Sequence, residues 1–237
     1  MDKRVSLLKE MGFVFLEGGP VQMGSAKPTP CRLEGYRHNE TPVRFTEVRP
    51  FWVARCCVTN AEFERVDTRY RRPVTSPKDR HPVTDVTYFG ALKYAQWLSR
   101  QTGIVFDLPT EEEWVFAAAP FGWEYPWGNE PDPTKAWIYG SAVTGPLEVD
   151  DDRFGPNWCG LYHVGGNVHE YVRGCHHVPG TGGAAADGFY CLIKGGGWTH
   201  CRLSPGVHRR ALADVAMRGP SAGFRLVAHL DEVGSLR

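Results

Sequence analysis

Apolar residues recur at helical spacing in the first half of the chain. In segment 87–103, TYFGALKYAQWLSRQTG, they stand at Phe89, Leu92, Ala95 and Leu98. This spacing predicts a helix with one buried face. Gly103 follows the last apolar position, and glycine ends helices because it adopts the left-handed conformation without strain.

Capping residues indicate two further helices. In segment 59–66, TNAEFERV, the Thr59 hydroxyl can cap the first turn while Glu62 reaches back to the threonine amide. Segment 108–119, LPTEEEWVFAAA, has the same reciprocal pattern before an apolar stripe. Its capping pair and first apolar residue are Thr110, Glu113 and Trp114.

Short apolar runs typical of strands surround these helices. They are FVFLEG, VRFTEVRPFWVAR, CLIKGG and GFRLVAH, at 13–18, 43–55, 191–196 and 223–229. Strands at both ends of the chain with helices between them predict an α+β fold whose terminal strands pair. From Tyr125 to Gly188 there is almost no periodicity, and 179–188 is predicted to be a surface loop. Glycine, proline and tryptophan are spread evenly, which predicts one domain over residues 1–237.

Charge and hydropathy argue against several classes of partner. Lysine plus arginine equals aspartate plus glutamate at 27 each, so no long-range field favours nucleic acid or an anionic membrane. The apolar piece at 5–8 is too short for a signal-peptide core, and no run approaches the roughly 18 residues of a membrane-spanning helix. We therefore expect a cytoplasmic protein. Its seven cysteines, Cys31 among them, contain no CxxC pair and are expected to stay mostly reduced.

A series of motifs runs along almost the whole chain. They are FVFLEGGPVQMGS, NETPVRFTEVRPFWVARCCVTNAEF, HPVTDVTYFGALKYAQWL, LPTEEEWVFAA, YPWGNE, CGLYHVGGNVHEYV, KGGGW and GFRLV. Their order and spacing resemble the formylglycine-generating enzyme family, also called the sulfatase-modifying factor family, over about 12–229. The resemblance implies a single C-type-lectin-like domain whose C-terminal third carries the binding or active site. Because one scaffold hosts several functions, the site has to decide the function.

The glycine turn departs from the copper-binding enzymes that the family contains. Those enzymes resemble one another in a Gly-Gly-Ser-aromatic turn followed by two cysteines about five residues apart, which hold Cu(I). Here the serine position is Gly197, Cys201 lies near the first cysteine position, and Pro205 or Gly206 falls at the second. The resemblance therefore implies that a two-thiolate copper site cannot form in this loop.

The GNVHEYV segment departs as well. The resemblance places tryptophan, a residue of the substrate cleft, where His169 stands. It also implies a calcium site at His163, Gly166, Val168 and Glu170. Calcium prefers oxygen ligands, so an imidazole at 163 argues against calcium, although Glu170 is kept.

Six histidines lie in the C-terminal third, and neutral imidazole is the commonest ligand of transition metals. They are His163, His169, His176, His177, His200 and His208. One hypothesis is an iron or copper centre that uses His169, His200 and Cys201. The alternative is that these histidines are exposed or bond backbone groups.

Three further expectations concern individual residues of the turn and its surroundings. Cys201, beside His200, is a candidate catalytic thiolate, or else a small residue packed under the loop. His169, Trp198 and Arg210 are candidates for substrate contact. The alternative for Arg210 is a bidentate ion pair that ties a loop to the core.

Two classes of function remain open. The first is an oxygen-using, oxidoreductase-like tailoring enzyme that acts on a small-molecule or peptidic substrate in a biosynthetic pathway. The second is a non-catalytic ligand-binding protein of the same fold, such as a retroelement variable protein, or a degenerate regulatory paralogue. The second class requires none of the missing serine, cysteine or calcium ligands.

Overall fold

The computed structural model describes residues 2–26, 40–140, 144–178, 187–201 and 203–230. The helices in these ranges are α1 (Lys3–Glu10), α2 (Asn60–Phe63), α3 (Tyr88–Thr102) and α4 (Glu111–Ala118), with a 3-10 turn at Pro133–Lys135. The strands are β1 (Phe13–Leu16), β2 (Gly19–Met23), β3 (Arg44–Val48), β4 (Phe51–Ala54), β5 (Val105–Asp107), β6 (His169–Val178), β7 (Gly188–Lys194), β8 (Ala211–Asp214), β9 (Ala222–Gly223) and β10 (Val227–His229). Cys31 and most of the predicted loop at 179–188 lie outside the described residues.

The described strands form three sheets, ordered β1-β4-β10-β5, β2-β3 and β8-β7-β6-β9. Helices and sheets are joined by long irregular segments, so the predicted α+β class is confirmed. The terminal strands β1 and β10 share a sheet, but each pairs with β4 from opposite sides. The prediction that they pair with each other is therefore wrong, because β4 lies between them.

All three predicted helices are present. Both capping boxes form, at Thr59 with Glu62 and at Thr110 with Glu113. Gly103 ends α3 with a left-handed φ of 72°. The buried face of α3 is rotated from the predicted one, and it consists of Tyr88, Ala91, Tyr94, Ala95 and Ser99. Phe89 is instead 56% exposed.

Two strand predictions need correction. The run 43–55 is not one strand, because Pro50 separates β3 from β4, and proline has no amide hydrogen for a ladder. The segment without periodicity, 125–188, contains β6, the longest strand described. Strand β6 was missed because its first four residues are all buried while most of the later ones are exposed, so no alternation is visible.

Strands β6 and β7 are the two central strands of the sheet formed by the C-terminal third of the chain. They pair antiparallel, and β9 adds in parallel to the start of β6. The glycine turn follows directly from the end of β7. No helix in the described ranges is long and apolar enough to cross a membrane.

Candidate functional site

The glycine turn is held in a shape that larger residues cannot adopt. Gly195 and Gly196 have φ values of 83° and 71°. A Cβ on Gly196 would lie 2.6 Å from the Cβ of Ser204. A Cβ on Gly197 would lie 3.1 Å from both the Cβ and the carbonyl oxygen of Ser221. The position where the family has serine is thus crowded by a serine from a different part of the chain.

The turn brings His200 against His169. Their ring centroids are 4.4 Å apart and the planes are nearly perpendicular, at 86°. The Thr199 hydroxyl lies 2.8 Å from His200 Nδ1 and 2.8 Å from the Ser221 hydroxyl. The His169 amide donates to the Ser221 carbonyl at 2.7 Å. The predicted meeting of these two histidines is therefore present in the structure.

His169 is buried, and His200 is the half-buried residue that packs against it. His169 is 4% exposed, and neither ring nitrogen has a hydrogen-bond partner among the described residues. The Lys194 backbone approaches the ring without meeting hydrogen-bond geometry. Burial, followed by the neighbouring His200, lowers the pKa of His169 to about 3. His169 is therefore neutral, and its ring contacts that of His200.

Cys201 and Trp198 occupy the edges of the turn. Cys201 is half-buried, with its Sγ 3.8 Å from the Ser204 hydroxyl. The Trp198 indole donates to the Pro220 carbonyl at 3.1 Å, and its ring packs on a cluster of Cys57, Val149 and Val168. This leaves Trp198 partly exposed beside His200.

The predicted iron or copper ligand set does not come together. Across the described ranges, no group of three or more histidine, cysteine, aspartate or glutamate side chains is placed to hold a metal ion. His169 meets His200, but Cys201 does not complete a three-donor group with them. The donors described here therefore do not fit a three-ligand metal centre.

Arg210 is tied to the core. Its guanidinium makes a bidentate ion pair with Glu111, with Nε 2.6 Å from Oε1. The fully buried Lys194 lies 3.3 Å from the same oxygen. Burial opposes the charge on Glu111, but Lys194 and Arg210 outweigh it and lower the pKa of this carboxyl to about 2. The geometry supports the structural interpretation of Arg210 over substrate contact.

The four positions implied for calcium are not arranged as an oxygen cage. Both oxygens of Glu170 bond Arg225, at 2.6 and 2.7 Å, and the Trp114 indole donates to Oε2 at 2.9 Å. Burial lowers the pKa of His163 to about 4, so its ring is neutral. Gly166 and Val168 lie in the buried turn between them. A carboxylate neutralised by a buried arginine, together with an imidazole at position 163, does not fit calcium.

Thr199, Ser221 and Lys194 belong to the site, and the sequence analysis did not assign them a role there. Ser221 is 22 residues from Thr199, and only the pairing of β9 with β6 brings them together. The place of Ser221 just before the GFRLV motif is the one signal that could have found it. Nothing local in the sequence marks Lys194 as buried.

The family is decided by comparison with known proteins. The family described as the sulfatase-modifying factor enzyme 1-like domain matches residues 3–230. The chain belongs to this family. The serine/threonine-protein kinase pkn1 of Chlamydia pneumoniae is 29% identical over an alignment of 227 residues, which covers 81% of this chain and 33% of that protein. The chain thus spans about a third of the length of this relative.

Two other relatives carry names of enzymes. The formylglycine-generating enzyme of Streptomyces coelicolor is 27% identical, over 79% of this chain and 78% of that protein. The hercynine oxygenase of Mycobacterium tuberculosis is 27% identical, over 73% of this chain and 50% of that protein. These relatives confirm the family that the motifs indicated.

Solved structures show the same fold. PvdO from Pseudomonas aeruginosa superposes with a TM-score of 0.73 at 24% identity, over 92% of this chain and 94% of that one. Treponema denticola variable protein 1 superposes with a TM-score of 0.71 at 18% identity, over 91% and 94%. At this identity the likeness concerns the fold alone.

Proposed function

We propose that this family member is an oxygen-using oxidoreductase that acts on a small-molecule or peptidic substrate at the glycine turn. The supporting observation is the imidazole pair of His169 and His200. His169 stands where the family resemblance implies a cleft tryptophan, and His200 directly precedes Cys201, which lies near the implied first cysteine position. The relatives named as a formylglycine-generating enzyme and an oxygenase support the same class of reaction.

His200 is the residue placed to contact the substrate. It is half-buried at the rim of the turn, where it follows the partly exposed Trp198 and the exposed Thr199. Its Nδ1 is held by Thr199, so the ring orientation is fixed. In the proposed reaction the substrate loses two electrons and two protons, and one dioxygen becomes one hydrogen peroxide. His200 accepts a proton from the substrate, and His169 is a positioning residue beneath it.

Oxygen uptake tests this proposal. The probe is a cysteine-containing peptide, compared with the same peptide carrying serine, and uptake is followed with an oxygen electrode with and without added Cu(I) or Fe(II). We expect uptake with the cysteine peptide, and a loss of about 10²-fold or more in His200→Ala because proton transfer is removed. The matched control is His176→Ala, since His176 is exposed on β6 away from the turn.

Uptake that is equal in His200→Ala and His176→Ala would contradict the proposal. Uptake no greater than that of protein-free solution would do the same.

A second candidate function, ligand binding without chemistry, is favoured by a pocket whose lining residues do not include His169 or His200. This pocket of about 300 Å³ is lined by aromatic side chains, and they include Trp123, Trp127, Phe154, Trp158 and His163. Aromatic walls suit a flat or apolar ligand. Quenching of tryptophan fluorescence by ligands that cause no oxygen uptake would support this candidate.

A further inference from the structure

Two cysteines face each other across the strand pair that leads to the glycine turn. Cys175 of β6 is the direct register partner of Cys191 of β7. Directly opposed residues of antiparallel strands have Cα atoms about 4.5–5.5 Å apart. Disulfides span Cα separations of about 4.4–6.8 Å. The register therefore holds the two backbones at a distance that a disulfide can bridge.

The side chains of this pair share one face of the sheet. Register partners point to the same side, and both thiols are free. Cys191 is fully buried, and its Sγ contacts the Ala213 carbonyl at 3.4 Å. Cys175 is exposed at the edge of the same face. A rotation about χ1 of Cys191 exchanges a weak contact with Ala213 for one with Cys175.

We propose that Cys175 and Cys191 form a reversible cross-strand disulfide when the protein meets a peroxide. The exposed Cys175 thiol is oxidised by one hydrogen peroxide to a sulfenic acid, and one water is released. The Cys191 thiol then attacks that sulfur, forms the S–S bond and releases a second water. Overall, two thiols and one hydrogen peroxide give one disulfide and two waters.

The environment sets the order of these steps. Burial raises the pKa of Cys191 to about 12, so its thiolate is scarce and it reacts second. Access for the oxidant is through Cys175. Two other cysteines have different surroundings, since Cys159 bonds the Ala117 carbonyl and Cys57 is buried beside Glu170.

The link would tie together the two strands that carry the candidate site. Strand β6 begins at His169, β7 ends at Lys194, and the register shifts between Tyr171 and Cys175. A covalent link at Cys175 prevents that irregular pair from opening. The disulfide closes a loop of 15 residues, 176–190. This inference does not depend on the proposed oxidoreductase activity.

Intact-mass and thermal measurements test the disulfide. The reduced full chain is treated with hydrogen peroxide, its remaining thiols are blocked with iodoacetamide, and the cross-linked peptides are mapped. We expect the peptides of Cys175 and Cys191 to be joined, with a mass lower by two hydrogens. We also expect the melting temperature to rise by roughly 6–12 °C, and dithiothreitol to reverse both changes.

Cys175→Ser is the deciding variant, because Cys175 is exposed and its replacement leaves the core intact. It should lose both the cross-link and the thermal shift. Cys56→Ser, a partly buried cysteine on another element, should keep both. Joined peptides that survive in Cys175→Ser, or a Cys175 that peroxide oxidises to the sulfinic acid without joining Cys191, would overturn the proposal.

Discussion

Two consecutive buried residues at the start of β6 differ in their hydrogen bonding. His169 and Glu170 point to opposite faces of the strand, since side chains alternate. Glu170 is fully buried and bonds Arg225 and Trp114 with both oxygens. His169 is nearly as buried, and in the part of the chain that the structure describes neither of its ring nitrogens has a hydrogen-bond partner. The face of Glu170 is stabilised by its hydrogen bonds. The face of His169 retains a buried imidazole whose nitrogens the described residues leave without a hydrogen bond.

The energetics of the two faces differ accordingly. The Arg225 guanidinium also donates to the carbonyls of Ala54, Arg55 and Tyr162, at 2.9 to 3.3 Å. Such a network compensates the desolvation of both charges. An unsatisfied buried polar group costs about 1–3 kcal/mol. Unsatisfied buried groups call for an explanation, and the proposed function supplies one for His169 by placing the substrate at its face of the strand.

The largest effect on the free energy of unfolding is expected at acidic pH. The buried histidines and the carboxylate of Glu111 lose their contributions in different pH ranges. Burial lowers the pKa values of His163, His169 and His208 to about 4, 3 and 4. These groups bind protons in the unfolded state below about pH 6.5 but not in the folded state. The contribution of each histidine to the free energy of unfolding is therefore fully present above pH 6.5. It is lost as the pH falls towards 4, by about 1.4 kcal/mol per pH unit for each histidine.

Urea denaturation at several pH values measures this loss. Three histidines together predict a slope of roughly 4 kcal/mol per pH unit below pH 6, and His208→Phe should reduce the slope by about a third. Glu111 adds a second loss, which is absent above pH 4.5 and grows as the pH falls through its pKa of about 2. A free energy of unfolding that is flat between pH 7 and pH 5 would show that the histidines are not buried as described.

The second-largest effect is expected when the ion pair of Glu170 with Arg225 is broken. Glu170→Gln leaves the Arg225 charge buried without a counter-charge, and we expect a loss of about 3–5 kcal/mol in the free energy of unfolding. Its matched control is Asp150→Asn, which breaks the exposed ion pair with Arg80 and should cost less than about 1 kcal/mol. Equal losses in the two variants, measured by urea denaturation, would remove the contrast between the faces.

Local features of the fold were predictable from the sequence. The capping boxes of α2 and α4 and the glycine end of α3 depend on residues within a few positions of each other. The family could likewise be identified from motif order. The break at Pro50 was visible in the sequence, because proline interrupts a strand ladder.

Features that depend on register were not predictable. Ser221 reaches Thr199 only because β9 joins β6, and Cys175 faces Cys191 only because β6 pairs with β7 past a bulge. The burial of His169 also depends on packing by the glycine turn. Motifs identified the turn and both histidines. They did not show that His169 is the buried one and His200 the half-buried one.

The smallest change gives the most direct test of the central claim that His169 is kept for function at a cost in stability. His169→Phe removes two unsatisfied nitrogens and keeps a flat ring, so the free energy of unfolding should rise by about 1 kcal/mol. In the same preparation, oxygen uptake with the cysteine peptide should fall by about tenfold or more, because the polar imidazole that packs against His200 is replaced by an apolar ring. A variant that is less stable than the wild type while its oxygen uptake is unchanged would contradict this account.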